Sequence, residues 1–315
     1  MNKTNRNLLF LLILAGACSV QDAVTESEEV AVDRKEILGD VKYLASDGLE
    51  GRAPGTDGSR LAQDYIEERF ESLGLKRFGN SFRQVFDLNG SESGDAVNLV
   101  GYIEGTVNTD QYVAVTAHYD HLGRTNGQVF NGADDNASGT GGLLAAAKWF
   151  RESPPENSIL FIAFDAEEAG LLGSFHFVNN PPVPLDQIIL NVNMDMISTN
   201  FDRELYAAGT YHYDYLKPLV KQSAADSPID ILFGHDSPDL PPGEDWTMLS
   251  DHAPFHRRGI PFIYFGVENH AHYHKTSDTF ETINPDFYID AVTVIIRFVR
   301  DIDASLDDVR KESGR

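Results

Sequence analysis

Apolar runs and amphipathic segments alternate along most of the chain. Apolar residues at three- and four-residue steps are typical of helices. Helices are predicted at 34–44, 59–73, 137–150, 167–178, 211–224 and 285–303. Strands are predicted at 98–103, 112–117, 158–164, 187–196, 204–208, 229–233 and 261–265, with the first two as neighbours. The run SILFIAF at 158–164 has no alternation, as in a strand buried on both faces of a parallel sheet. Strands that alternate with helices predict an α/β fold with a mostly parallel sheet.

The first residues stand apart from this pattern. Lys3 and Arg6 precede an apolar stretch at 8–14, which is far short of the roughly 20 residues that span a bilayer. We therefore expect residues 1–17 to be a signal peptide. Cys18 follows Ala-Gly-Ala and resembles the lipidated cysteine of a bacterial lipobox. The alternative is ordinary cleavage that leaves a free thiol at Cys18.

These features predict an exported protein in the periplasm or on the cell surface. Its only link to a membrane would be the lipid on Cys18, and Ser19 after the cysteine favours the outer membrane of a Gram-negative host. Residues 18–33 are expected to form an acidic tether, 34–304 one folded domain, and 305–315 a charged tail.

Composition narrows the function. The apolar fraction of 42% is ample for a core, and a single cysteine excludes internal disulfides. The formal net charge is −24, and it becomes −26 without residues 1–17, which contain Lys3 and Arg6 but no acid. Such a charge argues against nucleic acid and against anionic lipid surfaces as partners.

Polar clusters follow several of the predicted strands. His118, Asp120 and His121 end the strand at 112–117, and an Asp pair precedes the helix at 137–150. Further clusters are Asp165-Ala166-Glu167-Glu168, Asp195 within NMDM, and the histidines at 270, 272 and 274. Imidazole and carboxylate groups are ligands for divalent metals, and sites form at the carboxyl ends of strands in α/β sheets. The pattern favours a metal site.

Five motifs, in order, carry a family resemblance. AHYDHLG, GADDNASG, DAEEAGLLGS, NMDM and HYHKTSDT resemble the M28 family of zinc aminopeptidases, as does EGRAPGTDGS near the start. The resemblance spans residues 38–298. It implies a phosphorylase/hydrolase-like fold, a three-layer sandwich around a mixed sheet, and two zinc ions per chain.

The resemblance also implies a role for each residue that matches a motif. Asp134, the first acid of GADDNASG, would bridge both zinc ions. Glu168 and His274 would complete one zinc position, and His118 and Asp195 the other. A cis peptide is expected between Asp134 and Asp135.

Other matched residues would act around the metals. Glu167 would be the general base for a water that bridges the two zinc ions, and Tyr273 would hydrogen-bond the oxyanion. Asp120 and Asp278 fit carboxylates that orient the ligand imidazoles, and Asp135 is placed with them behind the ligands. No metal role is assigned to His121 or His252, nor to Asp251.

The implied function is a di-zinc aminopeptidase that acts on peptides with a free N-terminus. Alternatives are a single-zinc glutaminyl-peptide cyclotransferase on the same fold, a carboxypeptidase-like relative that would use Arg257 and Arg258, and a lipoprotein that binds peptides without turnover. The acids of the loop 235–246 would favour a basic substrate residue if they face the pocket. The sequence gives no indication of oligomeric state.

Overall fold

An eight-stranded mixed sheet runs through the computed structural model, which describes residues 29–88 and 96–314. The strands are β1 (Arg83–Phe86), β2 (Ala96–Ile103), β3 (Asn108–His118), β4 (Gly123–Thr125), β5 (Gln128–Phe130), β6 (Asn157–Phe164), β7 (Ile188–Met194), β8 (Glu204–Ala208), β9 (Asp230–Leu232) and β10 (Phe262–Gly266). The sheet order is β1-β2-β6-β3-β7-β10-β8-β9, and β4 and β5 form a separate hairpin.

The four central strands β6, β3, β7 and β10 are parallel to one another. The strands that flank them, β2 and β8, run antiparallel to their inner neighbours. The carboxyl ends of the four central strands therefore meet at one edge of the sheet, where sites form in α/β folds. The predicted α/β class with a mostly parallel sheet is confirmed.

Helices cover both faces of this sheet. They are α1 (Arg34–Leu44), α2 (Asp57–Ser72), α3 (Gly139–Glu152), α4 (Leu172–Asn179), α5 (Lys217–Ser223), α6 (His252–Arg257), α7 (Pro285–Asp303) and α8 (Leu306–Glu312). Successive strand residues point to opposite faces. Val113 and Val115 of β3 join one core with α1, α3 and α7, whereas Ala114 joins a second core with Phe177 of α4 and Phe255 of α6. The result is a three-layer sandwich.

Three expectations about the elements are corrected. β2 and β3 are not neighbours, because β6 lies between them. The helix expected from residue 167 begins at Leu172, since Gly170 and Leu171 have positive φ and end the preceding turn. Residues 306–312 of the expected tail form α8, because Leu306 and Val309 are buried on its inner side.

The chain also begins to pack before the expected domain start at residue 34. Val30 is buried in the core, and the Asp33 side chain caps α1. The signal peptide and Cys18 lie outside the described residues. Among the helices that are described, none combines the length and the apolar character that crossing a membrane requires.

Candidate metal centre

Three donor side chains meet at the ends of β3 and β7. His118 is the last residue of β3, and its Nε2 lies 3.3 Å from Oδ1 of Asp195, which directly follows β7. The same Nε2 lies 3.4 Å from Oδ1 of Asp135, in the turn before α3. Two donors on one tetrahedral zinc lie about 3.3 Å apart, given bond lengths of about 2.0–2.1 Å. These three residues therefore have the spacing of ligands that share one metal ion.

A second donor group shares Asp135 with the first. Its other oxygen, Oδ2, lies 3.0 Å from Nε2 of His274, and that nitrogen lies 3.4 Å from Oε2 of Glu168. His121 also reaches this group, with Nδ1 2.8 Å from Oε1 of Glu168. Asp135 thus presents one carboxylate oxygen to each group, as a carboxylate that bridges two metal ions would do.

Asp134 is not brought into either group. Its Oδ1 accepts hydrogen bonds from the backbone N–H and the hydroxyl of Ser198, both at 2.7 Å. Its Oδ2 lies 2.8 Å from Nε2 of His270. Asp135 therefore lies between the two donor groups, which is the position that the family resemblance implied for Asp134. The cis peptide shows the same offset of one residue, because it joins Asp135 to Asn136 rather than Asp134 to Asp135.

Two buried carboxylates hold the backbone that carries the acids. Asp120 accepts the N–H groups of Glu167 and Glu168 at 3.0 and 3.3 Å. Asp278 accepts the N–H groups of Asp134 and Asp135 at 3.0 and 3.1 Å. Nδ1 of the His118 imidazole lies 3.2 Å from the backbone oxygen of Asp120 and 3.6 Å from its carboxylate. The expectation that Asp278 orients an imidazole is corrected, because both of its oxygens are used by the backbone beside Asp135.

Arg52 is a supporting residue to which the sequence analysis gave no role. Its guanidinium has no exposed surface and donates to the backbone carbonyls of Leu44, Tyr119, Asn131 and Gly132. It therefore ties α1 to the two loops that follow β3 and β5. Burial lowers its pKa to about 10, so it stays a cation at neutral pH. The signal was present in the motif EGRAPGTDGS, where an arginine stands among loop residues.

Glu167 and Glu168 are neighbours in the chain but lie in different electrostatic environments. Burial raises the pKa of Glu167 well above its usual value, and Asp195 adds to the rise. Burial acts in the same direction on Glu168, but the imidazoles of His121 and His274 outweigh it and lower the pKa of that carboxyl. Two carboxyl groups whose surroundings push their pKa values apart are suited to different chemical tasks.

A pocket of about 330 Å³ opens in front of these donors. Glu167 and Tyr273 line it together with the metal-ligating candidates, and neither lysine nor arginine is among the described residues that do so. Several carboxylates crowded in a partly buried site repel one another unless a cation neutralises them. Imidazole nitrogen and carboxylate oxygen are ordinary zinc ligands, so the residues fit this metal.

Comparison of the sequence with known proteins shows which family the chain belongs to. The sequence model described as Peptidase family M28 matches residues 98–299, more than half of the chain. The chain belongs to peptidase family M28. It is 32% identical over 240 residues to aminopeptidase YwaD of Bacillus subtilis, a match that covers 73% of this chain and 46% of YwaD. The chain thus spans less than half the length of that curated relative.

Solved structures show the same M28 fold. BSAP, a zinc aminopeptidase from Bacillus subtilis, superposes with a TM-score of 0.67 at 20% identity, covering 86% of this chain and 95% of that one. A glutaminyl cyclase from Bacteroides thetaiotaomicron superposes equally well, with a TM-score of 0.67 at 19% identity and coverage of 86% and 99%. The fold is therefore shared by hydrolases and cyclases, and it does not by itself select one activity.

Part of the pocket lining is apolar in this M28 chain. Its apolar members are Leu171, Met196, Trp246, Met248, Leu249, Tyr264 and Val267. The sequence indicated no role for His252. Its Nε2 lies 2.9 Å from the backbone oxygen of Trp246. Burial lowers the pKa of His252 to about 4, so it is neutral and can donate that bond. Burial also raises the pKa of its neighbour Asp251, to about 7.

The acids of the loop 235–246 do not line this pocket. The buried carboxylate of Asp236 accepts the backbone N–H groups of Gly209 and Tyr211. Asp245 accepts the backbone N–H and the hydroxyl of Thr247. Only Trp246 of this loop reaches the pocket, where its ring stacks on His235 with centroids 3.9 Å apart. This loop therefore contributes an aromatic ring to the pocket lining rather than a carboxylate.

The two arginines that a carboxypeptidase-like relative would use lie outside the pocket. The guanidinium of Arg257 packs over the ring of Phe175, and that of Arg258 donates to the side chain of Asn179. Neither arginine lines the pocket. They are therefore not placed to hold the α-carboxylate of a substrate, which is the recognition that a carboxypeptidase requires.

Proposed function

We propose that this chain is a two-zinc aminopeptidase that removes N-terminal residues from peptides. The observation that carries the proposal is the position of Asp135, whose two oxygens face two separate donor groups within one pocket. His118 and Asp195 would complete one zinc position, and Glu168 and His274 the other. Asp135, rather than Asp134, would be the bridging carboxylate.

Zinc bound here would acidify a water molecule and polarise the scissile carbonyl. Glu167 lines the same pocket without belonging to either donor group. Its carboxylate would take a proton from the attacking water and pass it to the leaving amine. The Asp120 carboxylate accepts a hydrogen bond from the backbone N–H of Glu167. This bond fixes the Glu167 backbone and limits how far the Glu167 carboxylate can move. The Tyr273 hydroxyl would donate to the oxygen that becomes negative.

The substrate would enter with its free α-amine toward the acids and its first side chain against the apolar wall. The ammonium group complements the carboxylates around the metals, and an N-acetyl group removes that charge. The wall built by Trp246, Met248 and Leu249 favours an apolar first residue. This arrangement predicts both a requirement for a charged α-amine and a preference for an apolar first side chain.

The second candidate function is glutaminyl cyclisation, which the superposition on a glutaminyl cyclase supports. Cyclisation expels ammonia from an N-terminal glutamine without consuming water, whereas hydrolysis releases the first residue. The retained Asp135 and the complete set of donors for two metal positions favour hydrolysis.

A substrate panel separates these functions. Leucyl p-nitroanilide should be cleaved, its N-acetyl analogue should not, and a glutaminyl peptide should release free glutamine rather than ammonia. Equal cleavage of the acetylated compound, or ammonia release without hydrolysis of any substrate, would overturn the aminopeptidase proposal.

We also propose that the protein is exported and anchored through lipid on Cys18, after removal of residues 1–17. The apolar stretch before Ala-Gly-Ala-Cys supports this. Mass spectrometry of the mature N-terminus should find Cys18 as the first residue with acyl chains attached. An N-terminus elsewhere, or an unmodified thiol, would count against it.

A further inference from the structure

His121 is a histidine of the site that the five-ligand arrangement does not use. It follows Asp120 in the loop after β3, and its side chain has no exposed surface. Its ring packs against Gly132, where an added Cβ would lie 2.5 Å from Cγ of His121. Gly132 also has a φ of +55°, a conformation that favours glycine. The backbone is thus shaped to admit an imidazole at this depth.

Neither nitrogen of this imidazole has a hydrogen-bond partner in residues 29–88 and 96–314. Nδ1 lies 2.8 Å from Oε1 of Glu168 and 3.8 Å from Oδ2 of Asp135. The contact between Nδ1 and Oε1 does not meet hydrogen-bond geometry, so Glu168 Oε1 is also unpaired among the described residues. Buried polar atoms are rarely left unpaired in folded proteins. The approach of two unpaired atoms, His121 Nδ1 and Glu168 Oε1, points to a cation that the polypeptide itself does not supply.

We propose that His121 ligates, through Nδ1, the metal ion held by Asp135, Glu168 and His274; this rests on the proposed function. His121 and His274 each contact both acids, at 2.8 and 3.8 Å for His121 and at 3.0 and 3.4 Å for His274, on either side of the about 3.3 Å expected for one zinc. The donor atoms of His121, Asp135 and Glu168 also lie close enough together to hold one metal ion. The rings of His121 and His274 stand at 61° to each other with centroids 5.9 Å apart, so they approach the group from different directions.

The two metal positions would then differ in character. The position near Glu168 has four protein donors, as closed structural zinc sites have, whereas the position near His118 has three. The ion near Glu168 should therefore bind first and exchange more slowly. The ion near His118 keeps an open place for water or substrate, and it should be the one removed first by a chelator.

X-ray absorption at the zinc edge of the two-zinc wild type tests the ligand count directly. Three imidazoles per two zinc ions are expected, from His118, His121 and His274. Two imidazoles per two zinc ions would overturn the inference. This measurement needs no variant, so it does not depend on whether a substituted protein folds.

Calorimetric zinc titration of the metal-free protein provides the second test. His121→Ala and His121→Gln should lower the affinity of one position by more than the about 10–100-fold that loss of an outer hydrogen-bond partner costs. The control is His272→Ala, because His272 lies near His270 and bonds Ser277 rather than either metal group. Weakening by 100-fold or less would assign His121 to orienting Glu168 and would overturn ligation.

The two proposals fail differently. A wild type that binds no zinc would contradict the proposed function. A wild type that binds two zinc ions and cleaves leucyl p-nitroanilide, but whose His121 variants bind zinc unchanged, would contradict only the role of His121.

Discussion

The carboxylate of Asp278 accepts the backbone N–H of Asp135 at 3.1 Å. Its other oxygen accepts the preceding N–H at 3.0 Å, so one buried side chain fixes two successive peptide units. Asp135 is the residue that presents its oxygens to both donor groups. The position of the proposed bridging carboxylate therefore depends on a residue far away in the sequence, in the loop before α7.

Replacing this support should weaken metal binding. In Asp278→Asn, an amide NH₂ would face one of the two N–H groups that the carboxylate now accepts. We expect zinc affinity to fall about 10–100-fold and unfolding free energy to fall by about 1–3 kcal/mol. Zinc titration and urea unfolding measure the two effects.

The matched control is Asp286→Asn, an exposed carboxylate that pairs with Arg34. Its effect on stability should stay within about 0.5 kcal/mol. If both variants bind zinc like the wild type, Asp278 does not position the site.

Glu167 and Glu168 provide a second matched pair. Glu167→Gln should keep bound zinc and KM near wild type and lower kcat by about 10²–10⁴-fold, because it removes proton transfer. Glu168→Gln should instead lose zinc. Kinetics and zinc content of both variants on leucyl p-nitroanilide check this. Full turnover by Glu167→Gln would remove the general-base role.

The apolar wall should set the preferred first residue. Leucyl, methionyl and phenylalanyl substrates should have higher kcat/KM than lysyl or arginyl ones, by about 10–200-fold. Trp246→Ala should reduce that preference, because the ring lines the pocket. Phe201→Ala is the control, since Phe201 is an exposed aromatic residue outside the pocket. A preference for basic residues would contradict this account.

The fold was largely predictable because its elements have strong periodicity. Helices α1 and α7 have the predicted bounds, and the buried run at 158–164 forms most of β6. The neighbour of β2 was not predictable, because apolar strands carry no local signal of which strand they pair with. The short helix α8 was missed because its charged residues mask Leu306 and Val309.

Most residues of the candidate site could be predicted because they lie at strand ends. The role of each one depends on tertiary contacts, which the sequence does not show. The acids at 134 and 135 have the same side chain, and only the fold decides which one turns toward Ser198 and which toward the histidines. Likewise, Trp246 lies in a proline-rich loop without periodicity, so no sequence pattern predicts that it lines the pocket. The motif EGRAPGTDGS marks Arg52, but the backbone carbonyls that its guanidinium contacts are brought to it only by the fold.

The claim that Asp135 bridges two zinc ions is tested most directly by the zinc content of two variants. Asp134→Asn and Asp135→Asn make the same chemical change at adjacent positions. Both purified proteins should be saturated with zinc, dialysed and measured by elemental analysis, with folding checked by circular dichroism. The account predicts two zinc ions per chain in wild type and Asp134→Asn, and one or none in Asp135→Asn. Two zinc ions in Asp135→Asn together with loss in Asp134→Asn would contradict it.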